Sequence, residues 1–210
     1  MRVLGIDPGS RHTGYGVVEA SGTRLRLVVC GTVSPGDGLP LAARLAAIHA
    51  ELGRVILRTA PLACSVEEVY HAVNARSALV LGQARGAALV AAAAASVEVH
   101  EYAASEIKRA VTGSGRAQKE QVARMVAMLL GAGEVPGDEH ACDAIAAAIC
   151  HINRGRTPAA AAGTAKRIEA LPAVVAAPGN RVRGRKVAAG GFPAGVKIAP
   201  AVAGRSGGRR

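Results

Sequence analysis

Aromatic side chains are almost absent: the 210 residues include no Trp, one Phe (Phe192) and three Tyr (Tyr15, Tyr70, Tyr102). The core must therefore be built from Leu, Val, Ile and Ala, and an aromatic at a strand exit is informative because it is rare. Cysteine is sparse too. Cys30, Cys64, Cys142 and Cys150 form no CxxC pair and have no zinc-ligand spacing, which argues against a zinc ribbon or thiol-redox centre and for buried thiols in a reducing compartment. The N-terminus lacks a basic, apolar export signal, and the longest uncharged run, residues 86–97, is too short to span a bilayer. A cytoplasmic protein is expected.

Acidic residues are scarce in the last quarter of the chain. Of the formal net charge of +11, residues 155–210 carry +10, from 11 Lys/Arg against the single acid Glu169. The first 154 residues are therefore nearly neutral. They alternate apolar periodic segments with short turns, whereas the remainder is rich in Ala, Gly and Pro ("TPAAAAGTAK", "APGNRVRGRK", "AAGGFPAGVK"). This divides the chain into one domain, 1–154, and a basic tail, 155–210, that reads as disordered. A cationic tail favours a polyanion such as DNA through counterion release.

Within the domain, residues 2–7, 14–20 and 24–34 read as three strands joined by tight turns, hence antiparallel neighbours. Residues 40–58 place Leu41, Leu45, Ile48, Leu52 and Val55 at helical spacing before Pro61. Strands at 62–68 and 97–102 flank an Ala-rich helix at 75–95, and helices near 104–111, 117–131 and 139–153 complete the domain. Helical crossovers force the later strands parallel to the first, so the fold expected is α/β, a five-stranded mixed sheet flanked by α-helices.

Two acids stand where apolar strands end. Asp7 follows "VLGI", and Glu67 closes "LACSVE". Asp before Pro-Gly is an ordinary turn former; Glu is not, and its burial is costly unless it is paired or metal-bound. If strands 2–7 and 62–68 are parallel neighbours, both carboxylates emerge at the sheet edge where open α/β folds bind ligands. In "DEHACDAIAAAICHINR", His140 and Asp143 share one helix face at i, i+3. Either alone reads as helix-start capping or solvation. With Asp7 and Glu67 they make an oxygen-rich set suited to Mg²⁺ or Mn²⁺, the donors that paired ions use in phosphodiester cleavage.

Four ordered segments, "GIDPGSRHTGYGVV", "VEEVYHAVNARSALVLGQARGAALVAAA", "SEIKRAVTGSGRAQKEQVARMV" and "HACDAIAAAICH", together resemble the RuvC-type Holliday junction resolvases over residues 1–153. The resemblance implies a ribonuclease H-like fold and metal-dependent, paired symmetric cleavage of four-way junction DNA in recombination and repair. Asp7, Glu67 and Asp143 match three of the family's metal-binding acids. His140 stands at the fourth, where Asp is commoner, and an imidazole there tilts the expected preference from Mg²⁺ toward Mn²⁺. The expected complement is two ions per site.

By the same resemblance, Lys108 and Lys119 match required lysines that contact scissile-strand phosphates, Lys119 also within the catalytic set. Arg116, beside the glycines of "TGSGR", adds positive charge. Tyr70 matches an aromatic that stacks on an unpaired base, and Asn74 and Arg76 are candidates for backbone contact. The family also implies a homodimer and a RuvAB-type branch-migration partner. Leu79, Gly82, Gly86 and Val90 on the Ala-rich helix offer small residues for a dimer contact, although packing on the helix's own sheet explains part of that pattern. Two other readings stand beside this one: a junction-binding scaffold whose site His140 has impaired, and an actin-like or sugar-kinase ATP-binding protein, which shares the fold but needs a second lobe.

Overall fold

A computed structural model of the chain describes residues 1–68, 74–156 and 166–168. Strands β1 (Arg2–Asp7), β2 (Thr13–Ser21) and β3 (Arg24–Val33) form an antiparallel meander, and α1 (Leu41–Thr59) crosses to β4 (Ala63–Glu68). Helix α2 (Ala75–Ala94) returns the chain to β5 (Glu98–Ala103), followed by α3 (Ala104–Thr112), α4 (Lys119–Leu130) and α5 (Glu139–Arg156). The sheet order is β3-β2-β1-β4-β5-β6, with β4 parallel to β1 and to β5. These are the five strands expected. The sixth, β6 (Lys166–Ile168), pairs antiparallel with β5 and lies in the segment read as a tail. The rest of that segment, residues 157–165 and 169–210, lies outside the described residues.

The sheet is covered on both faces, which is why β1 and β4 are apolar almost throughout rather than alternating. Leu4, Ile6, Tyr15, Val17, Cys64 and Val66 pack with Ile48 and Leu52 of α1 and with Ala84, Ala88 and Ala92 of α2. Val3 and Val18 face the other way, into a cluster with α3, α4 and α5. Because side chains alternate along a strand, Gly5 and Asp7 share the face of Val3. In β4 the same alternation puts Ser65 and Glu67 opposite Cys64 and Val66, and Ser65 Oγ donates to Ala147 O of α5 at 2.7 Å. All four cysteines are buried free thiols.

Helix α5 is buried nearly all round, with Ala141, Ala144, Ile145, Ala148, Ile149 and Cys150 at or below 1% exposure. Its approach to the sheet depends on three glycines in paired register, Gly5 opposite Gly16 and Gly14 opposite Asp7. A Cβ on Gly5 would lie 1.8 Å from Ala144 O, on Gly14 1.9 Å from His140 O, and on Gly16 2.5 Å from Ile145 Cγ1. The helix backbone therefore rests directly on β1 and β2. Asp138 caps its N-terminus: Ala141 N donates to Asp138 Oδ1 at 3.0 Å, and Thr32 Oγ1 of β3 donates to the same oxygen at 2.5 Å. The cap thus ties α5 to the sheet as well as satisfying one of its free amides.

Candidate active site

Asp7 is the last residue of β1, and Glu67 lies one place beyond the final β1–β4 register pair, Ile6 with Val66. Two carboxylates therefore leave adjacent parallel strands at their carboxyl ends on the face that α5 covers. Helix α5, held down by the glycines, brings its first turns to the same edge. His140 Nδ1 lies 3.0 Å from Asp7 Oδ2. Lys119, the first residue of α4, reaches across with Nζ 3.2 Å from Glu139 Oε2 and 3.7 Å from Asp143 Oδ2.

The electrostatics tie these groups together. Burial, reinforced by the nearby charges of Asp7 and Asp143, pushes Glu67 up to about 7, against the opposing pull of Lys108 and Lys119. Asp7 is raised above the ordinary carboxylate range chiefly by desolvation, with the His140 hydrogen bond working the other way. Asp143 is raised for the same first reason, and Lys119 and His140 oppose it. Lys119 is held above its ordinary value by its hydrogen bond to Glu139 and by Asp143, so it stays cationic. Three half-buried carboxylates that repel one another form an environment that a cation relieves.

The donor set suits a hard divalent ion: three carboxylates and one imidazole, with Cys142 on the same helix a buried thiol whose pKa burial raises to about 11. In the arrangement seen, the protein's own side chains answer part of that charge. Asp7 turns to His140 and Asp143 to Lys119, and among the described residues no three His, Cys, Asp or Glu side chains are gathered closely enough to enclose an ion. Asp7, Glu67, His140 and Asp143 lie at the same sheet edge, Asp7 paired with His140 and Asp143 with Lys119.

The other expected residues are placed as follows. Lys108, half-buried on α3, lies close enough to lower Glu67, and Arg116 is exposed in the turn before α4. Asn74 is the N-cap of α2, its Oδ1 accepting from Ser77 N at 2.9 Å, with Arg76 exposed beside it. Tyr70 lies outside the described residues. The sequence reading did not single out His12, whose ring stacks on His140 with centroids 5.3 Å apart. Nor did it find the bond from Lys119 to Glu139, because neither partner's spacing announces a contact between two helices. A separate groove of about 790 Å³ between α4 and the 132–139 segment shares Glu139 with this cleft, but its walls, including Ala123, Ala127, Met128 and Val135, are largely apolar.

The family model described as crossover junction endodeoxyribonuclease RuvC matches residues 3–151. A protein of that name from Anaeromyxobacter sp. (strain Fw109-5) is 54% identical over 154 residues, 73% of this chain and 74% of the relative. One from Anaeromyxobacter dehalogenans (strain 2CP-1 / ATCC BAA-258) is 54% identical over 167 residues, 79% of this chain and 89% of the relative. Among solved structures, T. thermophilus RuvC in complex with Holliday junction substrate aligns with a TM-score of 0.73 at 39% identity, covering 80% of this chain and 99% of that one. A second Thermus thermophilus RuvC structure gives 0.71 at 40% identity, with coverage of 80% and 100%.

Proposed function

The chain belongs to the RuvC family of crossover junction endodeoxyribonucleases, and from that membership we propose that it resolves four-way DNA junctions through the cleft formed by Asp7, Glu67, His140 and Asp143. The observation that carries the assignment of the site is the meeting of β1, β4 and α5 at one sheet edge, with His140 3.0 Å from Asp7 and Lys119 3.7 Å from Asp143.

Asp7, Glu67, His140 and Asp143 are the residues that would hold divalent ions, two by the logic of in-line hydrolysis. Such ions supply a nucleophile from water at neutral pH and neutralise the departing oxygen. Water adds to phosphorus, one P–O bond breaks, and one product ends in phosphate and the other in hydroxyl. Lys119, kept protonated by Glu139 and Asp143, faces the developing negative charge. Lys108 and Arg116 add positive charge along the strand that is cut, Arg76 extends the DNA surface beyond Glu67, and Tyr70 is the aromatic that family likeness assigns to base stacking. Asn74 orders the start of α2 by capping it. The basic segment after residue 154 supplies further nonspecific affinity for DNA.

Two symmetric cuts on a roughly two-fold junction call for two sites, which a C2 homodimer provides. Helix α2 is suited to the contact. Leu79 and Val90 are 64% and 57% exposed, and a Cβ on Gly82 or Gly86 would meet no atom within 4 Å. Packing on the helix's own sheet uses Ala84, Ala88, Ala91 and Ala92 instead. By length and composition α2 would also suit a membrane span, yet it carries Arg76 and Arg85, and Arg85 pairs with Glu101 of β5. A face of exposed small and apolar residues on such a helix fits a second copy of the chain. A RuvAB-type branch-migration complex is the further partner that family membership suggests.

The test is cleavage of a synthetic four-way junction in Mg²⁺ and in Mn²⁺ by the native protein and by His140→Asp. Paired nicks at symmetric positions support the proposal, and binding without nicks supports a scaffold. A higher Mn²⁺:Mg²⁺ activity ratio in the native protein than in His140→Asp is expected from imidazole ligation. Equal ratios would remove the preference for manganese.

A further inference from the structure

We propose that His12, on the turn between β1 and β2, is a positioning residue that fixes the plane of the His140 ring. This rests on the reading of His140 as a metal-holding residue. The His12 and His140 rings lie nearly parallel, 17° apart, at a centroid distance of 5.3 Å, within the offset-stacking range for aromatic pairs. His12 Nδ1 lies 2.9 Å from Ser34 Oγ at the end of β3, so the stacking ring is itself anchored. A chain of contacts runs from Ser34 through His12 and His140 to Asp7.

The physical need for such an anchor follows from geometry. The ring is joined to the helix through Cβ–Cγ and its Nδ1 meets Asp7 Oδ2 at 3.0 Å, yet coupled rotation about χ1 and χ2 still tilts its plane while that contact is kept. A flat neighbour against its face removes that rotation and sets the direction in which the second nitrogen, Nε2, points. Groups that orient a ligating imidazole in this way commonly change metal affinity by an order of magnitude or more.

The turn that carries His12 is built to hold it there. Thr13 Oγ1 donates to Gly9 O at 2.5 Å and accepts from Gly9 N at 3.3 Å, closing the turn on itself. A Cβ at position 9 would lie 2.2 Å from His12 O, so only glycine permits this tight path. Arg11, the preceding residue, pairs with Asp37 at 3.4 Å and lies 72% exposed. Asp138, on the α5 side, feels the charge of His12 but bonds to Thr32 and to Ala141 N. His12 is itself exposed, and neither a core nor a cap accounts for its placement. It meets Ser34 and the ring of His140 and lies near enough to Asp138 to stabilise that carboxylate's charge.

The experiment titrates the full chain, without DNA, with Mn²⁺ alone, and follows bound and free Mn²⁺ by electron paramagnetic resonance. Loss of one stacked pair predicts about three- to tenfold weaker Mn²⁺ binding by His12→Ala. His12→Phe keeps the flat face and is expected to stay within about twofold of the native protein, with Ser34→Ala between the two. Thermal midpoints, and junction affinity in metal-free buffer, should be the same for all four proteins. Native-like Mn²⁺ binding by His12→Ala overturns the proposal. So does equal weakening in His12→Ala and His12→Phe, since that assigns His12 a direct polar role instead. Absence of Mn²⁺ binding by the native chain refutes the metal-site reading, an outcome separable from failure of the His12 proposal alone.

Discussion

Substituting Gly14 by Ala tests the contact that places half of the cleft. The added Cβ would stand 1.9 Å from His140 O, 2.3 Å from its carbonyl carbon and 3.0 Å from Ala141 N, all backbone atoms of α5 that no rotamer change can move. Ordinary contact begins near 3.4 Å, so the first turn of α5 must withdraw from β2 by about 1.5 Å. Overpacking of this kind costs about 1–3 kcal/mol, or about 6 °C in melting temperature at the middle of that range for a domain of this size.

The larger effect falls on chemistry, because the displaced turn carries His140 and, three residues on, Asp143. A displacement of about 1 Å in a reacting constellation is worth about 100-fold in rate. Single-turnover cleavage of a four-way junction by Gly14→Ala should therefore fall by about that factor, with junction affinity in metal-free buffer retained. Gly53→Ala is the control. Position 53 lies inside α1 with nothing within 4 Å of the added carbon, so the substitution should leave cleavage intact and stabilise by about 0.5–1 kcal/mol through helix propensity. Native melting temperature and native cleavage by Gly14→Ala would refute the claim that α5 rests on this glycine.

Three further outcomes follow. Lys119→Ala should lower the single-turnover rate by about 100-fold or more with little change in junction affinity, because a cation facing developing charge acts mainly in the transition state; an equal loss in both would reassign Lys119 to binding. Gly86→Glu, on the exposed face of α2, should give a folded monomer by light scattering that no longer makes paired cuts, and persistence of a dimer would move the interface elsewhere. His151, half-buried against His100 with a ring distance of 4.3 Å and bonded to Tyr102 Oη at 2.8 Å, is depressed by desolvation to about 4 from 6.5. Between those values the unfolded chain binds more protons, so stability is full above pH 6.5 and is lost as pH falls toward 4, by about 1–2 kcal/mol after allowing for partial exposure. Chemical denaturation of His151→Gln across that window should show a flatter profile, and an unchanged slope would place the acid sensitivity elsewhere.

The sheet edge was legible in the sequence because two independent regularities converge on it. Strand alternation puts Asp7 and Glu67 on one face, and the helical crossovers make β1 and β4 parallel, so both acids come to the same ends of the strands; the register Ile6 with Val66 is read from the structure. The i, i+3 spacing of His140 and Asp143 fixed which helix face they share, but not how near the sheet that face would come. That distance is set by Gly5, Gly14 and Gly16, and a glycine in a strand does not reveal in sequence which backbone lies against it. Asp138, His140 and Asp143 all sit near one helix start, and only the bonds from Thr32 and Ala141 separate the cap from the residues that face the cleft. The pairing of Lys119 with Glu139 joins residues on different helices and left no periodic trace. On α2, composition alone could not divide small residues that pack inward from those that face out; the division falls between Ala84 and Ala88 on one side and Gly82 and Gly86 on the other.

The balance of charge in the cleft ties fold to function more closely than any one residue does. The chain sets three carboxylates into a half-buried edge, where desolvation raises each of them, and Glu67 as far as about 7. A fourth acid at position 140 would add repulsion to a group already 3.0 Å from Asp7; an imidazole there gives Asp7 a hydrogen-bonding partner instead. Lys119 answers Asp143 from the opposite side, at the cost of being engaged with Glu139. Lys119 has three donors and two acidic neighbours, which leaves one donor for a phosphate under the proposed function. The positive charge is held beside Asp143 by Glu139, while the carboxylates are carried by strand ends and by a helix lying on glycine. Such a division, acceptors on the sheet edge and a cation with a spare donor on a neighbouring helix, is what the proposed function asks of a site organised before its substrate binds.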